Sequence, residues 1–124
     1  MEAVSDLLLE PGVVAVGETG LDFYRMTVPR EAQSNSLRKH LKMAEAFGMS
    51  LIVHSRGAEA EVLDQLGDDV GVPVIMHCYT GPKDVAATAA GRGWFLGFAG
   101  PLTYKKNGYL RELLRELPRD RILA

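Results

Sequence analysis

The most constraining feature of this 124-residue sequence is that short apolar runs alternate with helical patterns along its whole length. Each run is rich in β-branched or large apolar residues without polar alternation, which is typical of strands buried on both faces of a sheet. Five strands are predicted, at residues 13–16, 51–53, 74–76, 94–98 and 122–124. Residues 17–25, after the first run, are predicted to form a loop.

The segments between the apolar runs carry helix signals. Pro29 is suited to opening a helix, because the N–H that proline lacks would have no partner in the first turn. Leu37, Leu41 and Ala44 then recur at helical spacing, and Gly48 is a suitable stop after the last turn. Further helical segments are predicted at residues 3–9, 58–66, 82–90 and 110–117.

Strands separated by helices indicate right-handed crossovers and a parallel sheet. Eight such units close a barrel in about 250 residues, and five units in 124 residues are about half of that. We therefore expect an α/β fold of parallel β/α units, a partial (β/α)8 barrel with about five of the eight strands, in one domain over residues 1–124. A small open α/β sheet is the alternative, although its usual glycine-rich phosphate motifs are absent from the sequence.

Charge and hydropathy exclude several classes of protein. The chain has 14 Lys and Arg against 16 Asp and Glu, a net charge of −2, so it lacks the overall basic character of proteins held on nucleic acid by charge alone. No apolar run approaches the roughly 20 residues that cross a bilayer, and the acidic N-terminus lacks the cationic region of a signal peptide. The single cysteine, Cys78, has no partner for an internal disulfide. We expect a cytoplasmic protein with no membrane partner.

Three residues that could bind a metal lie at the ends of predicted strands. Glu18 follows the first strand, while His54 and His77 each end one. Because the carboxyl ends of parallel strands meet at one rim, these side chains are expected to converge there. A carboxylate with two imidazoles suits a divalent ion such as Zn, Mn or Mg. Their spacing matches no short metal motif, however, and a histidine at a strand end is more often a cap or a surface group, so both interpretations stay open.

Six segments carry motifs that recur together in one known family. They are VAVGETGLDFYR at residues 14–25, Gln33 with Leu37 and the pair His40-Leu41, LIVHSRGA at 51–58, MHCYTG at 76–81, WFLGFAG at 94–100, and LLRELPRDRILA at 113–124. In this order they resemble the TatD family of metal-dependent hydrolases, which are deoxyribonuclease-like enzymes on a TIM-barrel scaffold related to the amidohydrolases. The resemblance covers nearly the whole chain.

The resemblance implies roles for individual residues. Glu18 matches the family's carboxylate that bridges two metal ions, and His54 and His77 match ligands of the second ion. The implied cofactors are divalent metal ions (Mg, Mn or Zn), two of them in the complete enzyme. Arg25 and Arg56 are candidates for binding the substrate, because a guanidinium group fits phosphate oxygens. A salt bridge that fixes a loop is an equally compatible role for each arginine.

Two further features bear on the substrate and on the loops. Asp22 matches the aspartate of the family's GLD motif, and we expect it to position neighbouring groups rather than to bind the metal. Lys105 and Lys106 lie in a polar loop, where they are either solvated charges or a pair that steers a nucleic-acid backbone. The resemblance implies that the complete enzyme cleaves phosphodiester bonds in DNA with a metal-activated water.

The sequence also departs from the family pattern. No His-x-His pair occurs in it, and it ends at Ala124, immediately before the family's Glu-Thr-Asp segment, whose aspartate is a metal ligand and the general base. We therefore expect an incomplete TatD-like barrel that lacks its first strands and its end, with no catalytic base of its own. Two alternatives remain: an inactive scaffold that self-associates through its open sheet edges, and an amidohydrolase acting on esters or amides.

Overall fold

Five strands, taken in chain order, lie side by side in one parallel sheet. The computed structural model describes residues 2–124. Its sheet has the order β1-β2-β3-β4-β5, and each neighbouring pair is parallel. The strands are β1 (Ala15–Asp22), β2 (Ser50–Arg56), β3 (Val74–His77), β4 (Phe95–Gly97) and β5 (Ile122–Leu123). The predicted α/β fold of parallel β/α units is confirmed.

The helices begin and end close to the residues that the sequence indicated. They are α1 (Glu2–Leu7), α2 (Arg30–Phe47), α3 (Glu59–Leu66), α4 (Lys83–Gly91) and α5 (Gly108–Glu116), with 3-10 turns at Gly100–Thr103, Lys105–Asn107 and Arg119–Arg121. Pro29 directly precedes α2, and Gly48 ends it with a left-handed φ of 63° that suits glycine. Within residues 2–124, none of the helices has both the length and the apolar character that a membrane span requires.

The first strand differs most from the prediction. The loop predicted for residues 17–25 is wrong, because β1 continues to Asp22 and contains Glu18. Val14, which was assigned to a buried strand, precedes β1 and is 79% exposed. Within β1 there is a bulge, because the pairing with β2 shifts register between Val16 and Thr19. An extra residue at this point breaks the two-residue alternation from which strands are recognised in a sequence.

The two sides of the sheet have different surroundings. One side, which we call the helix-covered face, packs against the helices and is fully buried; it comprises Val16, Leu21, Leu51, Val53, Val74, Met76 and Leu96. The other side, the open face, consists of the alternate strand residues, and these are half-buried or exposed: Glu18, Gly20, Asp22, Ile52, His54, Ile75, His77 and Phe95. All three predicted metal ligands therefore lie on the open face.

Candidate metal and substrate site

Strand register brings the three predicted metal ligands together. Gly20 of β1 pairs with His54 of β2, which in turn pairs with His77 of β3. Glu18 precedes Gly20 on the open face, and its carboxylate lies between the two imidazoles. Its Oε1 is 3.5 Å from Nε2 of His77, and its Oε2 is 3.9 Å from Nδ1 of His54. The structure thus places a carboxylate and two histidines at one rim of the sheet.

Glycines on either side of Glu18 allow β1 to lie unusually close to β2. At Gly20, where φ is 154°, a Cβ atom would collide with the carbonyl oxygen of His54. At Gly17, where φ is 148°, a Cβ atom would lie 2.7 Å from the carbonyl oxygen of Ile52. Only glycine tolerates both the backbone conformation and the close approach at these positions. The two glycines and the bulge between them therefore set the position of the Glu18 carboxylate.

Asp22 fixes the orientation of the His54 ring. His54 Nε2 donates a hydrogen bond to Asp22 Oδ2 at 3.0 Å, and Asp22 Oδ1 accepts from the backbone N–H groups of Tyr24 and Arg25. Burial by itself raises the pKa of Asp22, but these hydrogen bonds outweigh it, so that the pKa lies below its ordinary value. An ionised Asp22 can only accept, which puts the proton of His54 on Nε2. In the neutral form of the ring, the Nδ1 atom that faces Glu18 then has a free lone pair.

A glutamine of α2 anchors the end of β1. The side-chain oxygen of Gln33 accepts a hydrogen bond from the Asp22 N–H at 2.8 Å, and its amide nitrogen donates to the carbonyl oxygens of Asp22 at 3.1 Å and Val28 at 2.9 Å. All three contacts go to the backbone, so they fix where Asp22 lies without engaging its carboxylate. Gln33 therefore positions Asp22, and Asp22 in turn positions the His54 ring on the open face.

One carboxylate and two imidazoles are ligand types that divalent metal ions take, but the three side chains lie slightly too far apart to bind one ion as they stand. Two ligand atoms on one tetrahedral ion, with bonds of about 2.1 Å, lie about 3.4 Å apart. The Glu18–His77 separation is close to that value, while the Glu18–His54 separation is about 0.5 Å wider. The three side chains are 37–54% exposed, and residues 2–124 contain no preformed group of three or more His, Cys, Asp or Glu that could hold an ion. Binding would require a small closure of these side chains.

Two clefts flank the three side chains. The first cleft, of about 520 Å³, is lined by Glu18, His54 and His77 together with Ser55, Arg56, Cys78, Thr80, Pro101, Tyr104, Lys106, Asn107 and Tyr109. The second cleft, of about 500 Å³, shares Glu18 and His54 but lies on the α2 side, where Arg25, Gln33 and His40 are among its lining residues. A substrate in either cleft would lie directly beside the Glu18 carboxylate.

The two predicted substrate arginines meet at one aromatic ring. The guanidinium carbon of Arg56 lies 3.9 Å from the centre of the Tyr24 ring, and that of Arg25 lies 5.8 Å from it. Arg56 lines the first cleft and Arg25 the second. Within the described part of the chain neither arginine forms an ion pair. Each cleft is therefore lined by one of the two arginines, and phosphate binding by these arginines stays a prediction.

Several lining residues were not identified from the sequence. Tyr104 lies between the two 3-10 turns that precede α5, Asn107 ends the second turn, and Tyr109 lies in the first turn of α5. All three residues line the first cleft. The available signal was a polar loop, rich in Lys, Asn and Gly, that contains an aromatic residue. That signal also fits an ordinary surface turn, and only the fold brings this loop beside β1, β2 and β3.

Comparisons with known proteins agree with this architecture. A family model described as TatD related DNase matches residues 1–124. The chain is 33% identical over 122 residues to the uncharacterized metal-dependent hydrolase YabD of Bacillus subtilis, covering 97% of this chain and 48% of that protein. It is 36% identical over 120 residues to the 3'-5' ssDNA/RNA exonuclease TatD of Cronobacter turicensis, covering 94% of this chain and 46% of that protein.

A solved structure shows the same arrangement. The crystal structure of YjjV, a TatD homologue from Escherichia coli, superimposes with a TM-score of 0.89 at 28% sequence identity, covering 98% of this chain and 48% of that one. The chain spans about half the length of the curated relatives it matches. Its five strands correspond to about half of a TIM-barrel protein of the TatD type.

Proposed function

We propose, from the premise that this chain belongs to the TatD-related DNase family, that it carries part of a metal-dependent site for hydrolysing phosphodiester bonds in nucleic acid. The observation that carries the proposal is the Glu18 carboxylate lying between His54 and His77 at the rim of the sheet. The relative from Cronobacter turicensis is named for exonuclease action on single-stranded DNA and RNA, and the relative from Bacillus subtilis for metal dependence. Single-stranded nucleic acid is therefore the substrate class that we propose for the whole protein.

Glu18, His54 and His77 are the residues that would hold the metal. A bound divalent ion of the Mg, Mn or Zn type supplies a Lewis acid and lowers the pKa of a coordinated water. The protein's own contribution is orientation: Asp22 holds the His54 tautomer that leaves Nδ1 free, and the glycines beside Glu18 hold its carboxylate near both rings. Two ions, as the family resemblance implies, are part of the proposal.

The positions of Arg25 and Arg56 favour an anionic substrate over a neutral one. Each lines one of the two clefts beside Glu18, and each has its guanidinium group against the Tyr24 ring rather than against a carboxylate. The net charge of −2 gives the protein no general attraction for nucleic acid, so these local cations must supply it. An ester or amide substrate, the alternative noted from the sequence, has no comparable feature in its favour.

The proposal is tested by titrating the purified chain with Mn²⁺ and Zn²⁺ in a calorimeter. The sequence contains three histidines, which provides a matched control. His54→Ala or His77→Ala should weaken metal binding by tenfold or more, because each removes a ligand. His40→Ala should leave the affinity unchanged, because the His40 ring bonds to the Ser36 carbonyl oxygen within α2. Equal losses in all three variants, or none in any, would contradict the proposed site.

Self-association is a second candidate role, favoured by the edges of the sheet. In the described residues β1 pairs only with β2, and β5 pairs only with β4. An eight-residue strand with one unpaired edge is a template for another chain. We propose that the β1 edge of the sheet pairs with a second copy of this chain. Sedimentation equilibrium should then show a mass that rises with concentration; a constant monomer mass would contradict this role.

The cytoplasmic location expected from the sequence also stays a prediction.

A further inference from the structure

Tyr104 has an exposed aromatic ring in the first cleft. Tyr104 lines the same cleft as Glu18, His54 and His77, and the residue as a whole is 51% exposed. Among residues 2–124, its ring takes part in none of the aromatic or cation–π contacts. An aromatic surface of this kind, open to a cleft beside charged groups, is suited to stacking against a flat ligand.

The backbone around Tyr104 is held firmly although its ring is free. The Tyr104 N–H donates to the Pro101 carbonyl oxygen at 3.2 Å, and its own carbonyl oxygen accepts from the Asn107 N–H at 3.0 Å. Arg111 of α5 donates to the carbonyl oxygens of Tyr104 at 3.1 Å and Leu102 at 2.8 Å. These bonds hold the main chain that carries the ring before any ligand arrives, which reduces the entropy lost on binding.

The other exposed tyrosine offers a useful contrast. Tyr24 is 62% exposed, yet the Arg56 guanidinium already lies over its ring at 3.9 Å, with that of Arg25 at 5.8 Å. A stacking ligand would have to displace a cation there. Tyr104 presents its ring without that competition.

A cation lies beside Tyr104 in the same cleft. Lys106 lines it, as does Arg56, whereas the adjacent Lys105 is not part of the lining. The cleft thus combines an open aromatic ring, two cationic side chains and the rim that carries Glu18. Aromatic rings that stack bases, together with cations that follow the backbone, are how proteins bind single-stranded nucleic acid.

We propose that Tyr104 is a stacking platform for one base of a single-stranded nucleic acid, and that Lys106 contacts a neighbouring phosphate. The inference rests on the proposed function and deepens it by assigning a substrate-binding subsite to that same cleft. It also gives a reason for strand selectivity, because bases within a duplex are already stacked on each other and have no free face for Tyr104.

The test is fluorescence anisotropy with a short labelled DNA strand, measured in EDTA so that binding is separated from metal chemistry. Tyr104→Ala should weaken binding by roughly tenfold, while Tyr104→Phe, which keeps the ring, should stay within about twofold of the wild-type affinity. A strand of the same length with abasic sites keeps the phosphates and removes the bases. Tyr104→Ala and the wild-type chain should bind that strand equally.

The proposed phosphate contact of Lys106 is tested by comparing its substitution with that of the adjacent Lys105. Lys106→Ala should weaken binding of both the normal and the abasic strand and should reduce the salt dependence of the affinity by about one phosphate contact. Lys105→Ala, a matched loss of one charge in the same loop, should change neither. Equal effects of the two lysine variants would overturn the phosphate assignment.

Three results would overturn the role of Tyr104: no loss in Tyr104→Ala, an equal loss in Tyr104→Phe, or an equal loss on the abasic strand. Binding a duplex as tightly as a single strand would also count against it. Failure of the proposed function is distinguishable, because it appears in the metal titrations. A chain that binds strands through Tyr104 but takes up no metal keeps this inference and loses the proposed hydrolysis.

Discussion

The helix-covered face and the open face belong to the same strands, yet they serve different purposes. Leu51 and Val53 of β2 point to the helices and are fully buried, whereas Ile52 and His54, one residue along, point to the open face and are only half-buried. On the first face most side chains are apolar and fill a core with the helices, with Thr19 and Ser55 as buried polar exceptions. On the second, β1, β2 and β3 carry a carboxylate and two imidazoles beside one another.

The difference shows that the residues that stabilise the fold and the residues proposed to bind ligands lie on opposite faces of the same strands. Because successive side chains of a strand alternate between faces, one set of residues can be selected for packing and the next for ligand binding. Burial on the helix-covered face stabilises the fold, since the hydrophobic effect scales with the apolar area removed from water. The open face is therefore expected to tolerate substitution with small stability losses and large functional ones.

We expect the largest loss of stability from a substitution on the helix-covered face. Leu51→Ala should lower the free energy of unfolding by about 2–5 kcal/mol, because it leaves a cavity in a close-packed core. Ile52→Ala, the adjacent residue on the open face, should lose less than half of that amount. Chemical denaturation of both variants measures the contrast. Equal losses would mean that the open face is as tightly packed as the other.

A smaller loss is expected where the open face brings two backbones together. Gly20→Ala should destabilise by about 1–3 kcal/mol, because the added Cβ collides with the backbone of His54. Gly12→Ala is the matched control: Gly12 also has a positive φ, of 90°, but its Cβ position is open. The difference between the two variants in urea unfolding isolates the collision. If Gly12→Ala costs as much, backbone conformation alone explains the loss.

The next prediction concerns support of the proposed metal site. Asp22→Asn keeps the shape of the side chain but removes the carboxylate that holds the His54 tautomer. Metal affinity should fall by about 10–100-fold, the usual effect of losing such a partner, with a much smaller change in stability. Calorimetric titration with Zn²⁺ measures the affinity, and thermal unfolding checks the fold. An unchanged affinity would show that Asp22 supports only the backbone of its own turn.

The smallest effect is expected away from both faces, where Lys83 of α4 meets Glu112 and Glu116 of α5 at 3.0 and 3.7 Å. The hydrogen bond to Glu112, followed by the charge of Glu116, raises the pKa of Lys83 above its ordinary 10.5. A raised pKa means that the contribution to stability is complete below pH 10.5 and disappears as the pH rises through the folded-state pKa. Lys83→Ala should therefore cost little at pH 7, and the difference from the wild-type chain should vanish in strong alkali. A loss that persists there would point to packing of the lysine stem.

Local signals explain why most of the fold was predictable. Pro29 and Gly48 bound α2 as expected, and Gly67 ends α3, because helix ends are decided by the conformational limits of a few residues. The same logic failed at β1. The bulge between Val16 and Thr19 exists only through pairing with β2, so no local pattern marks it.

The sequence predicted which residues make up the candidate metal site, but it did not predict the contacts that position them. That Glu18, His54 and His77 converge was expected from the strand ends that the sequence predicted for them, although the structure places Glu18 and His54 within their strands. That Asp22 holds Nε2 of His54, and that Gln33 holds Asp22, depends on contacts between β1, β2 and α2 that are distant in sequence. Tyr104 was missed because exposure of a ring to a particular cleft is a property of the assembled fold.

The sequence by itself determined the order of strands and helices, the helix ends and the residue types able to bind a metal or a phosphate. These depend on periodicity, on proline and glycine conformations and on side-chain chemistry, all of which are local. Tertiary structure decided the bulge in β1, the level at which Gly20, His54 and His77 align, and the cleft that Tyr104 and Lys106 share with Glu18. Register and proximity arise from hydrogen bonds and packing between segments far apart in the chain, and those contacts form only when the whole sheet does.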